Sequence, residues 1–155
     1  MRHPLGGGTM ATDAYFQCTA CNHYEYPPSM FAGLLVVAEA HVEPCPDCRS
    51  KRIFQLDFSF ATDEKPRRCR VRAAFTPSGD DRPRWKQGRE LVEFFPFLVV
   101  LEQLDYTDDA VWLPYWHIKR RRSAERTLYG QWAPFMDQSL FAELTRRARV
   151  AGFIE

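Results

Sequence analysis

No stretch of this 155-residue chain reaches the roughly 18 to 20 consecutive apolar residues that a membrane-spanning helix needs. The N-terminus also lacks the apolar core of a secretory signal, so a cytoplasmic chain without membrane contact is expected. Net charge is nearly absent: 21 Lys and Arg face 20 Asp and Glu, leaving +1. Any binding to nucleic acid must therefore come from local clusters of charge and not from a general attraction. There is no phosphate-binding glycine loop, no nucleophile elbow and no HExxH pattern. His117 with Lys119, or Glu93, Glu102 and Asp105, could supply acid and base groups, but nothing in the sequence fixes their mutual geometry. Catalysis is the weakest of the functional readings.

What is present is cysteine in metal spacing. Cys18-Thr-Ala-Cys21 and Cys45-Pro-Asp-Cys48 form two CxxC pairs. Two thiolates three positions apart on a tight turn grip one side of an ion, and a second such turn closes the other, which predicts a tetrahedral zinc site. Thiolates that must stay free for metal agree with a reducing compartment. Cys69 is left over and is expected to be a buried, inert thiol. His23 and His41 are alternative ligands, but four well-spaced cysteines leave them no vacancy. An iron tetrathiolate and a pair of CxxC disulfides are the competing chemistries. Glycine is missing just after the second cysteine of each pair, where Asn22 and Arg49 stand.

Residues Tyr15 to Phe60 resemble a zinc ribbon, in which two knuckles on neighbouring β-hairpins hold one zinc. The resemblance covers under a third of the chain. It implies a four-thiolate structural site of Cys18, Cys21, Cys45 and Cys48. The 23 residues between Cys21 and Cys45 exceed the usual spacing of about 15 to 20, which implies an inserted excursion past Pro27 and Pro28.

Around this module the pattern reads as follows. Residues 1–13, with three consecutive glycines, form a flexible leader. Ala14 to Gln17 is a short strand, Ser29 to Ala40 is helix or strand, and Ile53 to Phe60 is a strand with Phe54, Leu56, Phe58 and Phe60 on one face. Arg68, Arg70 and Arg72 alternate with Cys69, Val71 and Ala73 on the next strand. Residues 14–76 thus hold the ribbon and its following strand, and 77–88, rich in Pro, Gly and charge, are a linker or long loop. In 89–155 a buried strand begins after Pro96, and Asp105 to Asp109 turn the chain. Ala110 to Lys119 return, with Tyr115 and His117 facing away from Trp116 and Ile118. Lys119 to Arg126 leave as a basic turn. Asp137 caps a last helix with Leu140, Phe141, Leu144 and Ala148 in one stripe and Gly152 as its stop.

The expected fold is therefore α+β: an N-terminal zinc ribbon on a small antiparallel sheet closed by the C-terminal helix. The expected function is a structural-zinc binding module that contacts nucleic acid through Arg68, Arg70, Arg72, Arg120, Arg121 and Arg122, given aromatic rings nearby. The alternative is an adaptor that meets a protein partner through aromatic residues of the peptide Leu128 to Met136.

Overall fold

The computed structural model describes residues 11–60, 64–129 and 133–155. Most of the expected leader, and Trp132 of the aromatic peptide, lie outside them.

Strand β1 (Ala11–Cys18) runs into the first cysteine turn and is followed by the two-residue β2 (Tyr24–Glu25). The undecided apolar stretch is a helix, α1 (Met30–Ala38). Ser29 decides it: the Ser29 hydroxyl accepts from the Ala32 amide at 3.1 Å, an N-cap that a strand could not use. Strand β3 (Arg52–Phe58) follows the second cysteine turn, and β4 (Arg67–Phe75) carries the alternating arginines. Phe54, Leu56, Phe58 and Phe60 are all buried, as their spacing requires.

Beyond β4 the chain is more strand-rich than its pattern suggests. A third of the supposed linker is β5 (Arg84–Gln87), which turns at Gly88, φ 62°, and pairs with β6 (Glu90–Pro96). The strand expected after Pro96 is β7 (Leu98–Gln103), but Pro96 itself ends β6, and the two strands belong to different sheets. The expected single return strand is likewise two, β8 (Ala110–Trp112) and β9 (Tyr115–Arg121), parted at Leu113-Pro114. Proline lacks the amide that would continue a ladder, so both crossings fall beside one. The basic run is not a loop leaving the sheet. Lys119 to Arg121 finish β9, and β10 (Ala124–Tyr129) begins after a two-residue turn in which Arg122 has φ 52°. Strand β11 (Phe135–Asp137) then leads into α2 (Gln138–Val150).

The strands form two antiparallel sheets in place of one small one. The first has seven strands in the order β11-β8-β7-β4-β3-β1-β2, and the second four in the order β10-β9-β6-β5. The seven-stranded sheet draws strands from both sides of residues 77–88. Helix α1 joins the two. Its Leu34 is fully buried with Phe54 and Leu56 in one core, and its Phe31 ring meets Phe95, Phe97 and Trp116 at 5.0, 6.1 and 5.6 Å. A side chain on Gly33 would overlap the Phe54 ring, so glycine is what lets the helix approach β3.

Helix α2 does not close the sheet. It packs mainly against β8 and β11, none of its residues is buried, and Leu140 and Leu144 of the expected stripe are each 50% exposed. Gly152, φ 82°, ends it as expected. Among the described residues no helix is long and apolar enough to cross a membrane.

Candidate metal centre and basic surfaces

Cys18 is the last residue of β1, and Cys45 and Cys48 lie in the turn before β3. Antiparallel pairing of the two strands opposes Cys18 to Arg52, so the second turn falls beside the first. That register closes the site across the long excursion. The four Sγ atoms all lie within 4.8 Å of one another, with Cys18 Sγ 3.4 Å from Cys48 Sγ and Cys21 Sγ 3.6 Å from Cys45 Sγ. A disulfide needs about 2.05 Å, and all five cysteines are free thiols. Sulfurs placed tetrahedrally about 2.3 Å from one ion are separated by about 3.8 Å, close to the short contacts here. The four cysteines could hold one metal ion.

Both turns have the same backbone plan. The Cys18 amide donates to the His23 carbonyl at 2.7 Å, and the Cys45 amide to the Ser50 carbonyl at 2.9 Å. Asn22 and Arg49 take φ of 61° and 65°, the left-handed region that suits glycine, is tolerated by Asn and is strained for Arg. The amides of Ala20 and Cys21 point at Cys18 Sγ, at 3.3 and 3.4 Å. Thr19 ties one turn to the other, donating both its amide and its hydroxyl to the Lys51 carbonyl at 3.0 Å.

Crowding the thiols splits their proton affinities. Hydrogen bonds from the Ser50 hydroxyl and amide, with one from Cys18, lower the Cys48 thiol to about 6. Cys21 receives a lowering bond from the His23 backbone, but bonds with Cys45 and Cys48 prevail and raise it to about 12. Such a donor set gives up protons to a cation. His23 is not among the four ligands; its Nδ1 lies 2.9 Å from Asp47 Oδ2 and so spans from the first turn to the second. His41 is 73% exposed and lies 3.6 Å from Glu39. Cys69 is buried, which pushes its thiol up to about 12.

The six arginines singled out from the sequence are dispersed. Arg68 is exposed, hydrogen-bonded to Tyr15 and beside Asp57. Arg72 pairs with Asp109. Arg120 lies on the inner face of the four-stranded sheet, 2.8 Å from both Glu93 and Glu125, while Arg122 sits in the β9–β10 turn. Arg67 is buried, its guanidinium 4.2 Å from the Phe60 ring centre and 4.3 Å from that of Tyr106, and it donates to Gln103.

Two surfaces nevertheless gather positive charge. On the outer face of the four-stranded sheet, His117 lies 5.8, 5.3 and 5.7 Å from the rings of Trp85, Phe94 and Tyr115. Strand alternation puts Lys119 and Arg121 on this same face, and Arg126 is opposite Lys119 across the β9–β10 pair. Trp85 is 41% exposed. The group was hidden in the sequence because Trp85 and Phe94 reach His117 only through β5–β6–β9 pairing. The glycine of the Gly88-Arg89 loop, flanked by alternating residues, was the available signal.

The second surface is a cleft of about 650 Å³ beside the second cysteine turn. It opens where the seven-stranded sheet splits. Strands β3 and β4 pair from Phe58↔Arg67 to Gln55↔Arg70 and then part, β3 following β1 as far as Arg52 and β4 following β7 as far as Phe75. Arg49, Lys51, Arg52, Arg70 and Arg72 line the gap, with Glu43 and Glu102 as its carboxylates.

Comparison of the chain with family models, curated proteins and solved structures gives no match.

Proposed function

We propose that this chain is a zinc-clasped binding module that contacts single-stranded nucleic acid on the outer face of its four-stranded sheet. The observation that carries this reading is the ring cluster of Trp85, Phe94, Tyr115 and His117 flanked by Lys119 and Arg121, with Arg126 beside them in an ion pair with Glu90. Bases stack on such rings for about 1 to 3 kcal/mol each, and the cations take the phosphates. Zinc suits the four-thiolate donor set, and its role here is structural, holding β1 to β3 as in a zinc ribbon. Arg121 lies on the stacking face, whereas Arg120 points to the other side.

The test is binding of a labelled single-stranded oligonucleotide at several salt concentrations. Trp85→Ala is expected to weaken it about tenfold with little change in salt dependence, and Arg121→Ala to lower the salt slope by about one. Unchanged binding in both variants, or none at low salt, would sink the reading.

An adaptor role has an observation of its own on α2. Leu140 and Leu144, one turn apart on α2, are half exposed, an apolar stripe that a protein partner would cover. A co-purifying protein lost on Leu140→Asp with Leu144→Asp would favour it.

A further inference from the structure

We propose that the cleft between the parted strands β3 and β4 is a site for a small phosphate monoester with an apolar body. This goes beyond the single-strand reading, because none of Trp85, Phe94, Tyr115 and His117 lines the cleft.

Charge points to the ligand's head. Five cationic side chains and two carboxylates border the space, an imbalance that contrasts with the almost neutral chain. Two of the cations are occupied: Arg52 donates to the Glu43 carbonyl at 2.7 Å and to Glu25 at 3.3 Å, and Arg72 pairs with Asp109. Arg49, Lys51 and Arg70 have no ion-paired carboxylate among the described residues. Arg70 is the most telling, since its Nε is buried and makes no hydrogen bond within the protein. A buried guanidinium donor without an acceptor costs free energy, and a small shift of the Arg70 side chain toward an oxyanion in the cleft would relieve it. A dianion answers the cationic excess better than a monoanion, and the guanidinium fork matches phosphate oxygens.

The rest of the cleft points to the body. Val37, Val42, Ile53 and Val71 form an apolar wall, and a volume of about 650 Å³ is within the range of small-molecule sites. The site also depends on the metal turn. Arg49 directly follows Cys48, and its left-handed backbone, φ 65°, belongs to the turn that the four thiols close. On its other side Arg70 borders a hollow of about 220 Å³ lined by Cys18, Thr19 and Asn22.

Calorimetric titration of the full, metal-loaded chain with phenyl phosphate, inorganic phosphate and phenol tests this. Phenyl phosphate is expected to bind at least tenfold more tightly than either fragment. Arg70→Gln should weaken it tenfold or more, Arg70→Lys should restore part of the loss, and Lys51→Ala, on an exposed turn, should weaken it severalfold without disturbing the fold. Trp85→Ala should leave phenyl phosphate binding unchanged while it weakens oligonucleotide binding, so the two proposals fail separately. Affinity for phenyl phosphate that is undetectable, or equal in Lys51→Ala and the parent chain, overturns the site. So does an oligonucleotide that displaces phenyl phosphate and itself loses affinity on Arg70→Gln, since the cleft would then hold a nucleic-acid strand.

Discussion

At the cysteine turns, four sulfurs from two chain segments converge on a point that one ion could fill, and two of them, Cys21 and Cys48, are exposed. In the four-stranded sheet the convergence is reversed: one buried carboxylate, Glu93, gathers Arg82 and Arg120 at 2.8 Å and Arg84 at 3.2 Å. The first cluster could take its cation from outside; the second carries its own. With the structural metal proposed above, strand order near the cysteines depends on the ion, whereas order around Glu93 comes with the chain. The rings repeat the contrast. Phe95 and Trp116 pack inward with Phe31 beside the Glu93 cluster, while Tyr15, Tyr24 and Tyr26 meet one another on the edge near the first cysteine turn, with Tyr24 and Tyr26 more than half exposed.

The strongest way to break this contrast is to remove the metal. Structural zinc in small modules is worth on the order of 10 kcal/mol. Chelation or Cys45→Ser is expected to abolish amide protection at Thr19, Cys45 and Arg49 while leaving that of Phe94 and Phe97 in place. Hydrogen exchange by NMR checks it, and equal loss at both ends would show that the clusters are not independent. Glu93→Gln is the reciprocal experiment. Burial works against the charged carboxyl, but hydrogen bonds from Arg120 and Arg82 and the nearby Arg84 bring it from an ordinary 4.5 to about 2. Its folded value lies below the unfolded one, so the stabilisation is complete above about 4.5 and is lost as pH falls toward 2. Glu93→Gln should cost about 3 kcal/mol at neutral pH. The gap in urea midpoint between variant and parent should close through that acid window, and at neutral pH the variant should retain its metal.

The same contrast explains what could be read in advance. CxxC spacing is local, so the four cysteines were legible, although the β1–β3 register that unites them was not. Period-two alternation correctly separated Tyr115 and His117 from Trp116 and Ile118, because which face a residue takes is set within its own strand. What a residue meets across the sheet is set by another strand. Hence Arg68 finding Tyr15, Arg120 finding Glu93 and Trp85 finding His117 were all invisible. Pro96 and Pro114 were legible as interruptions, but a proline does not say that the chain will change sheets there. In α2 the apolar stripe was read correctly as a helical pattern, and only its burial failed, because amphipathicity reports a face and not a partner.

Smaller substitutions sharpen the comparison. Gly33→Ala places a methyl group in the space of the Phe54 ring, where α1 meets the metal-side core. A loss of about 1 to 3 kcal/mol is expected from overpacking, visible in thermal melts. Phe54 lies in β3, beyond the turn that carries the second cysteine pair, so metal affinity should fall together with stability. Glu93→Gln should not show that coupling.

The smallest expected effect has the opposite sign. Arg49 holds φ 65° directly after Cys48, a conformation that costs a residue with a Cβ roughly 1 kcal/mol and glycine almost nothing. Glycine also adds entropy to the unfolded chain, which offsets part of the gain. Arg49→Gly is therefore expected to stabilise the metal-bound protein by about 0.5 kcal/mol, read as a small rise in urea midpoint and slower metal loss to a chelator. The same change at Asn22, φ 61°, should do less, because Asn already tolerates the left-handed region. If Arg49→Gly instead destabilised the turn, the Arg49 side chain would be contributing more than its strained backbone costs, and the cysteine end would rest partly on side-chain charge, as the Glu93 end does.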